Sequence, residues 1–599
     1  MGTAITLAMQ NETNGFIQLA SVTRHYLGFH GATDLPNSGE EWVTIQWLRD
    51  QHLPAYESYM TLGKSEGIMC SCNTLRVGEG EGPDGGIPAC VHPFLYNILR
   101  NEWNSTALVQ GDNEAIYPMF QDHHYYKTLE EAVVGALSAG VVAVDSGGNS
   151  EIIAALATAI QDGTATIEQL DAAISRQFEM RFKVGEFDTN NTNNPFRNEY
   201  DESQIDGAIH RALAREAVVK SLTLLKNTNQ TLPLSLSNPP KSIAVIGPWA
   251  NVNDTRGDYG CYNSYAGNYA TQTSVVSTIS DAIKEAVGTK SIVTYALGSN
   301  PYTLSSPSGI SDAANLASTS EVTILVVGLG CSYEAEGIDR PDLYLPSIQD
   351  ELYTAVSFAV RNRQATGQIG KLILVTVSAN IADINEDGTD AWIQLFIPGE
   401  EAGHGFVDIL FGIESPSGRL PLTSYSNEYI SVSGPTADFN MISNTTGVGR
   451  TYRFSEYIPK EMIKHNFGFG LSYSTFKYTN LILDKLVDGS INVTFSVENI
   501  GLFSPAREVV QVYVKVPSVI DLITPTLQLR GFTVVSLIKD EIPTTITLQL
   551  PYPKAFATTL KDGTSSVTGG EYKIFVSGHQ PYDIEGEEQS NVLEGVVTL

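Results

Sequence analysis

Two carboxylates far apart in the chain each follow an apolar run. Asp112 comes after Leu108-Val109-Gln110-Gly111, and Glu336 comes shortly after the run over residues 322–327. Such runs are typical of buried strands, so both carboxylates are expected on loops at strand ends. A pair of carboxylates can hydrolyse a glycosidic bond, because one attacks or stabilises the anomeric carbon while the other protonates the leaving oxygen. Glu334 lies two residues before Glu336 and is the competing candidate for the acid.

The segment before about residue 190 alternates between strand patterns and helix patterns. Thr128 and Glu131 have the spacing of a capping box, which predicts a helix that starts after Thr128 and stops near Gly140. Val141-Val142-Ala143-Val144 is predicted to be the next strand. This succession is a βα unit of a parallel sheet. In a parallel barrel the chemistry lies at the C-terminal ends of the strands, which is where Asp112 falls.

A second alternating segment follows a polar linker at residues 188–195. Its pattern predicts a helix from Ala208 to Leu225 and another from Glu401 to Phe411. Apolar runs at residues 243–246, 322–327 and 372–377 are the predicted strands. Apolar strands separated by helices indicate a doubly wound α/β domain.

The hydrophobic period changes to two after about residue 470. Val493, Phe495 and Val497 alternate with polar residues, and similar alternation recurs at 510–514, 546–550 and 572–576. Several such strands with turns between them predict a β-sandwich. The chain is therefore predicted to be α/β followed by all-β, with domains at 1–190, 200–445 and 465–599.

The composition excludes some partners. There are 36 Lys and Arg against 67 Asp and Glu, which gives a net charge of -31 and disfavours binding to nucleic acid or anionic membranes. No run reaches 18 apolar residues, so no transmembrane helix is expected. Neither Cys-x-x-Cys nor His-Glu-x-x-His occurs, so no metal and no cofactor are expected, and the adjacent His123 and His124 are assigned to a loop. Cys90 could pair with either Cys70 or Cys72.

Seven Asn-x-Ser/Thr sequons favour a secreted glycoprotein. They begin at Asn11, Asn104, Asn190, Asn229, Asn253, Asn444 and Asn492. Residues 1–10 lack a basic region and have only a weak apolar core, so they do not resemble a signal peptide. The expectation is that a signal peptide precedes this sequence in the native protein.

Several motifs, in order along nearly the whole chain, resemble those of glycoside hydrolase family 3, most closely its β-xylosidase branch. They are Met69-Cys70-Ser71-Cys72-Asn73 with Gly86-Ile87-Pro88-Ala89-Cys90, Glu334-Ala335-Glu336-Gly337-Ile338-Asp339-Arg340, Pro398-Gly399-Glu400-Glu401-Ala402-Gly403, Pro416-Ser417-Gly418-Arg419-Leu420-Pro421, Gly449-Arg450-Thr451-Tyr452-Arg453-Phe454 and Phe467-Gly468-Phe469-Gly470-Leu471-Ser472-Tyr473. The resemblance implies a (β/α)8 TIM barrel, here only in part, then an α/β sandwich domain and a C-terminal fibronectin-III-like β-sandwich.

The resemblance also implies roles for individual residues. Asp112 matches the family nucleophile, and Glu336, the second Glu of the E-A-E-G motif, matches the acid/base. Arg24 and His25 fall where the family has a Lys-His pair that holds sugar hydroxyls. The implied reaction is retaining, exo-acting removal of terminal β-linked xylose, with arabinose or glucose as alternatives, from plant-cell-wall oligosaccharides such as xylan fragments or from aryl glycosides. Glu336 must start protonated, so its pKa should be raised by burial or by the charge of Asp112.

The sequence departs from the family pattern at some of these positions. Gly111 replaces the Ser before the nucleophile, Arg24 replaces Lys, and an acidic, Gly-rich insert occupies residues 76–85. A (β/α)8 barrel needs about 250 residues, so the front of the barrel is predicted to be missing from a chain whose first domain ends near residue 190. One hypothesis is a glycosidase represented by an incomplete sequence. The alternative is a non-catalytic, degenerate sugar-binding or structural relative.

A lesser alternative comes from residues 25–31. His25-Tyr26-Leu27-Gly28-Phe29-His30-Gly31 faintly resembles a motif of bacterial N-acetylglucosaminidases in the same family, which use a His as the acid/base. The three-domain layout and the presence of Glu336 favour the xylosidase branch. Oligomeric state is not predicted.

Overall fold

The computed structural model describes residues 1–29, 39–78, 86–112, 115–143, 149–188, 193–197, 201–253, 265, 275–299, 309–330, 333–335, 338–434, 438–581 and 590–599. These residues form two compact units. The first unit contains Met1–Glu202, Gly434–Gly447 and Thr558–Ser566, and the second contains Ser203–Ser433, Val448–Ala557 and Val567–Leu599.

A four-stranded parallel sheet forms the centre of the first unit. Its strands are β1 (Val22–Tyr26), β2 (Gly67–Cys70), β3 (Leu108–Gly111) and β4 (Val141–Ala143), and they are neighbours in chain order. The main helices of the unit are α1 (Gly2–Met9), α2 (Leu129–Ser138), α3 (Ser150–Asp162) and α4 (Ile167–Lys183). Helical segments follow each strand, as in consecutive segments of a (β/α)8 barrel. The predicted partial barrel is thereby confirmed.

Helix α2 begins where the sequence predicts it. The Thr128 hydroxyl accepts the Glu131 N–H at 3.2 Å. The Glu131 carboxylate accepts the N–H of Lys127, one residue before the cap, at 2.8 Å. Side chains at the helix positions facing inward are buried, namely Ala132, Val133, Ala136 and Leu137. Local capping and hydrophobic spacing therefore both specify this helix.

Shorter elements complete the first unit. Its short strands are Glu12–Thr13, Phe16–Ile17, Glu40–Val43, Thr74–Val77, Ile87–Pro88, Thr558–Thr559 and Ser565–Ser566. Its short helical segments are Ile45–Trp47, Leu48–His52, Leu53–Glu57, Ser58–Leu62, Ala89–Val91, Pro93–Tyr96, Asn97–Glu102 and Tyr117–Gln121.

A disulfide joins Cys70 at the end of β2 to Cys90. Cys72 is buried, and within the described residues it forms no disulfide. Of the two pairings that the sequence allows for Cys90, the structure contains the one with Cys70.

A six-stranded sheet lies in the second unit. Its strands are β5 (Thr223–Asn227), β6 (Ser242–Ile246), β7 (Ile292–Ala296), β8 (Val322–Gly328), β9 (Lys371–Val377) and β10 (Ala391–Gln394), in the order β5-β10-β9-β8-β6-β7. The strands pair in parallel except for β5, which is antiparallel to β10. The helices around it are α5 (Ala208–Ser221), α6 (Ile279–Val287), α7 (Ile310–Thr319), α8 (Ser347–Ala365) and α9 (Ala402–Leu410).

Both faces of this sheet are apolar. Ile324 and Val326 of β8 belong to one buried cluster, and Leu325 and Val327 belong to another. Since alternate residues of a strand point to opposite faces, the two clusters cover the two faces of the sheet. This confirms the predicted doubly wound α/β domain.

The helix predicted from Ala208 to Leu225 is wrong at its C-terminal end. Helix α5 ends at Ser221, and β5 begins at Thr223. Thr223 pairs with Gln394 and Leu224 with Ile393. A short apolar run fits a buried strand as well as the last turn of a helix, and pairing with β10 decides between them.

The C-terminal strands of the second unit form the predicted β-sandwich. They are β11 (Phe476–Lys485), β12 (Ile491–Asn499), β13 (Ala506–Lys515), β14 (Gln528–Leu537), β15 (Thr544–Leu550), β16 (Glu571–Ser577) and β17 (Leu593–Thr598). One sheet has the order β11-β12-β15 and the other β14-β13-β16-β17, with antiparallel pairing throughout. Val493, Phe495 and Val497, predicted to alternate with polar neighbours, are all buried in one core cluster.

The remaining elements are short. They are the strands Ser424–Tyr425 and Ile463–His465 and the helical turns Glu202–Gln204, Thr228–Gln230, Gly288–Lys290, Glu428–Val432, Tyr452–Tyr457 and Lys460–Met462. Among the described helices, none combines the length and the apolar character needed to cross a membrane.

Candidate active site

Asp112 is the first residue after β3, at the C-terminal edge of the parallel sheet. Its N–H donates to the Cys70 carbonyl at 2.9 Å, and its own carbonyl accepts the N–H of Ala115 at 2.9 Å. The backbone at Asp112 therefore continues the pairing with β2 by one residue and is also bonded to Ala115. The side chain keeps 19% of its surface exposed. A carboxylate held in this way is fixed by backbone bonds and still accessible, as a nucleophile must be.

His25 brings an imidazole to the same edge. It lies in β1, and its Nε2 is 3.4 Å from Oδ2 of Asp112. Because β2 separates β1 from β3, the two side chains approach each other across the end of β2. The Phe29 ring lies 5.3 Å from the imidazole ring, and the Tyr56 hydroxyl donates to the His25 carbonyl. The structure thus brings together two of the residues that the sequence assigned to the site.

Arg24 is placed differently from His25. Its side chain is exposed, and within the described ranges no residue forms an ion pair with it. The adjacent His25 is half-buried and lies beside Asp112, whereas Arg24 is exposed. The predicted contact of Arg24 with sugar hydroxyls stays a prediction.

A buried polar cluster lies behind the strand ends. Asn73 Nδ2 donates to the Glu41 carboxylate and lies 3.4 Å from the carbonyl oxygens of Leu27 and Gly28, while the Ser71 hydroxyl donates to Asn73 Oδ1. Glu41 is only 3% exposed. Sequence analysis missed Glu41 because an adjacent pair of glutamates is typical of a solvated surface. Asn73 could have been identified from the sequence, since it is the last residue of the Met69 to Asn73 motif.

Glu336, the predicted acid/base, lies outside the described residues. The residues on either side of it are described: Ala335 and Ile338 exchange two backbone hydrogen bonds, of 3.2 and 3.0 Å. The role of Glu336 therefore stays a prediction based on its motif.

Glu334, the competing candidate, is held by two groups. Its carboxylate accepts the N–H of Ala379 at 2.6 Å and lies 3.8 Å from Nη1 of Arg340. Burial raises the pKa of Glu334, while the Ala379 N–H and the Arg340 charge act in the opposite direction. Burial also lowers the pKa of Arg340, although the Glu334 and Asp342 charges oppose this. The side chains of Arg340 and Glu334 are only 11% and 17% exposed, which is why burial is the largest influence on both pKa values.

A cavity of about 960 Å³ adjoins this loop within the second unit. Its lining includes Tyr333, Arg340, Asp342, Tyr344 and Asp383. Aromatic rings, carboxylates and a guanidinium around one cavity supply the flat surfaces and hydrogen-bonding groups that bind polar ligands such as sugars.

Comparison with known families assigns two parts of the chain. The glycosyl hydrolase family 3 C-terminal domain matches residues 222–473, and the fibronectin type III-like domain matches residues 508–580. The first match spans the six-stranded sheet, and the second lies within the β-sandwich.

Curated relatives include plant proteins. The chain is 29% identical to probable beta-D-xylosidase 6 of Arabidopsis thaliana over 81% of this chain and 57% of that protein. It is 30% identical to beta-xylosidase/alpha-L-arabinofuranosidase 2 of Medicago sativa subsp. varia over 74% of this chain and 53% of that protein. The chain thus spans about half the length of the curated relatives it matches.

Solved structures share the fold. A family 3 exo-beta-xylosidase, determined with a xylobiose aziridine activity-based probe, aligns with a TM-score of 0.81 at 24% identity, covering 96% of this chain and 73% of that one. A beta-glucosidase from Listeria innocua aligns with a TM-score of 0.80 at 21% identity, covering 99% and 77%. At these identities the likeness establishes the fold alone.

Proposed function

Because the chain belongs to glycoside hydrolase family 3, we propose that its protein is a retaining exo-glycosidase that releases terminal β-D-xylose. The substrates are plant-cell-wall oligosaccharides such as xylan fragments, and arabinose and glucose are the competing sugars. The observation that carries the proposal is the Asp112 carboxylate at a strand end with His25 Nε2 at 3.4 Å. The names of the relatives, among them β-xylosidases and β-xylosidase/α-L-arabinofuranosidases, support xylose as the first sugar to test.

The proposed reaction has two steps. Asp112 attacks the anomeric carbon and forms a glycosyl ester, while Glu336 gives its proton to the departing glycosidic oxygen. Glu336 then takes a proton from water, whose oxygen attacks the anomeric carbon and breaks the ester to Asp112. His25 donates a hydrogen bond to the Asp112 carboxylate or to a sugar hydroxyl beside it. Arg24 is proposed as a second contact for sugar hydroxyls.

The experiment traps the intermediate on the native protein. Protein captured from its source with an antibody against this chain is incubated with a 2-deoxy-2-fluoro-β-xyloside that carries an activated leaving group. The fluorine slows breakdown of the ester, so peptide mapping is expected to find the sugar on Asp112. Parallel assays with aryl xyloside, arabinofuranoside and glucoside rank the three sugars.

The alternative is a non-catalytic, sugar-binding relative. Gly111 and Arg24, which depart from the family pattern beside the site, favour it. If the native protein hydrolyses no aryl glycoside and carries no label, catalysis is contradicted. Titration calorimetry with xylobiose then separates a sugar-binding protein from a structural one. A label on a residue other than Asp112 would support glycosidase activity but contradict Asp112 as the nucleophile.

We propose further that the protein is a secreted glycoprotein. The sequon residues Asn11, Asn104, Asn229 and Asn444 are exposed, as N-glycosylation requires. Asn492 is half-buried within β12 and is the internal comparison. Treatment of the native protein with an N-glycan-releasing amidase should lower its mass and convert exposed sequon asparagines to aspartate. An unchanged mass contradicts the proposal.

A further inference from the structure

We propose that Glu334 and Arg340 are positioning residues that hold the loop of the acid/base position, Glu336, against the end of β9. This inference rests on the proposed function. It assigns to Glu334 a role distinct from that of the acid itself. The described contacts on both sides of position 336 carry it.

The start of the loop is tied to the sheet by backbone bonds. Leu329 N–H donates to the Val377 carbonyl at 2.9 Å, which extends the pairing of β8 with β9 by one residue. The N–H groups of Tyr333 and Glu334 then both donate to the Gly330 carbonyl, at 2.8 and 3.1 Å. These bonds tie Tyr333 and Glu334 to a residue that lies only two positions beyond the end of β8.

The Glu334 carboxylate makes the next attachment. It accepts the Ala379 N–H, two residues beyond the end of β9. The preceding residue, Ser378, is 1% exposed, and both its carbonyl and its hydroxyl are bonded by Gln394 Nε2 of β10, at 3.0 and 3.3 Å. The Glu334 carboxylate is thus bonded to an exposed residue that directly follows a buried serine, itself bonded to β10.

Arg340 makes the contacts on the C-terminal side of position 336. Its side chain is 11% exposed, its Nη1 faces Glu334, and its Nη2 donates to the Tyr344 carbonyl at 3.4 Å. Between the two charged residues, Ala335 and Ile338 are bonded to each other. Only two residues, Glu336 and Gly337, separate that bonded pair in the sequence. Since a general acid must lie within hydrogen-bond reach of the leaving oxygen, contacts that fix this loop affect proton donation directly.

The leaving group of the substrate provides the test. In an alkyl β-xyloside the glycosidic oxygen must be protonated before the alcohol can leave. In a 2,4-dinitrophenyl β-xyloside the dinitrophenolate leaves without protonation. General acid catalysis contributes roughly 10²–10⁴-fold. We expect Glu334→Ala to lower kcat/KM about 100-fold on the alkyl glycoside and less than about 3-fold on the dinitrophenyl glycoside. Glu334→Gln, which keeps an acceptor for Ala379, should recover part of this loss.

The control and the contrary outcomes are specific. Glu351→Ala removes an exposed carboxylate from α8 and should leave both rates unchanged. Equal losses on both substrates in Glu334→Ala would mean general damage and overturn the positioning role. If the wild-type protein cleaves neither substrate, the proposed function fails, and hydrogen–deuterium exchange decides the inference. Faster exchange of residues 333–344 in Glu334→Ala supports it, and unchanged exchange there overturns it.

Discussion

The backbone bonds at Asp112 do not depend on its side chain. Asp112→Asn keeps the size of the side chain and both backbone bonds but removes the charge that attacks the anomeric carbon. We expect turnover of an aryl β-xyloside to fall by roughly 10⁴-fold or more, as for loss of other enzymatic nucleophiles. The free energy of unfolding should change by less than about 1 kcal/mol. Turnover within tenfold of the wild type would contradict the assignment.

His92 gives a residue-scale prediction about stability. It is 6% exposed, and its Nδ1 accepts the Phe94 N–H at 3.2 Å. Burial lowers its pKa from 6.5 to about 4, so the folded protein holds the neutral imidazole over a range in which the unfolded chain binds a proton. The free energy of unfolding is therefore highest above pH 6.5, where His92 is neutral in both states, and it falls as the pH is lowered towards 4. The loss between pH 7 and pH 5 should be about 2 kcal/mol.

Urea unfolding at the two pH values measures this loss. The matched variant is His92→Asn, because asparagine can accept the same N–H but does not titrate. The wild type should lose about 2 kcal/mol more than the variant between pH 7 and pH 5. Equal pH dependence of the two proteins would contradict the role of His92.

The position of a single residue was predictable where it depends only on residue type and on the neighbouring sequence. The strand-end position of Asp112 was predictable because a carboxylate directly follows an apolar run, whereas its role as nucleophile is a prediction from the family resemblance. The proximity of Asp112 to His25 was not predictable, since 86 residues of chain separate the two and only the parallel pairing of β1, β2 and β3 brings them together. The burial of Glu41 was also not predictable, because it depends on a contact with Asn73 that no local sequence pattern indicates.

At the scale of elements, the Cys70–Cys90 disulfide supports the sheet edge that carries Asp112. Cys70 ends β2, and its carbonyl accepts the Asp112 N–H. The bond closes a loop with a sequence separation of 20, for which the chain-entropy model gives about 3 kcal/mol. Cys90→Ala should therefore lower the free energy of unfolding by about 3 kcal/mol under non-reducing conditions.

Cys72→Ala is the matched control for the disulfide. Cys72 is buried like Cys90 but is not part of the Cys70–Cys90 bond. Its substitution should cost less than about 1.5 kcal/mol, as for other substitutions that nearly conserve volume. An equal cost for the two variants, or a peptide map that links Cys72 to Cys90, would contradict the pairing.

Elements were predictable where local signals agree. The helix after Thr128 and the alternating strand around Val493 were found because capping or periodicity specifies them within one segment. The end of α5 was misplaced because Leu222 to Leu225 carry an apolar run that fits helix and strand alike. Pairing with β10, nearly 170 residues later, makes it a strand, and this contact is not visible in the local sequence.

At the scale of the whole molecule, packing does not follow chain order. The first unit includes residues 434–447 and 558–566, which lie late in the sequence. Thr44 N–H donates to Asn440 Oδ1 at 3.1 Å, and Gln46 Nε2 donates to the Thr559 carbonyl at 3.0 Å. Composition and periodicity change along the chain and predict three successive segments, but they do not reveal that late residues pack into the first unit.

One of the motifs that resemble the family contributes to packing. Arg419, in the Pro-Ser-Gly-Arg-Leu-Pro stretch that supported the family resemblance, donates to the Glu508 carboxylate of β13 at 2.8 Å. Their side chains are 9% and 2% exposed. The Tyr478 hydroxyl also donates to Glu508, at 2.8 Å. This network joins the segment after α9 to the β-sandwich and takes no part in the proposed chemistry.

Removing the cation from this network should therefore destabilise the second unit. Arg419→Met leaves Glu508 buried without its counter-ion, which typically costs about 3–5 kcal/mol. Burial raises the pKa of Glu508, and Arg419 opposes that shift, so the pKa should rise further in the variant. A carboxyl with a raised pKa favours the folded state when protonated, and the deficit should shrink as the pH falls from 7 to 5.

Urea unfolding of three variants and of the wild type checks both parts of this prediction. Arg419→Met with Glu508→Gln removes the buried charge and should lose the pH dependence that the single variant shows. Arg361→Met, an exposed arginine of α8, is the control and should cost less than about 0.5 kcal/mol. A cost for Arg419→Met as small as that of the control would mean that the ion pair contributes little. A cost that does not change with pH would mean that packing of the arginine side chain, rather than its charge, joins the sandwich to the sheet.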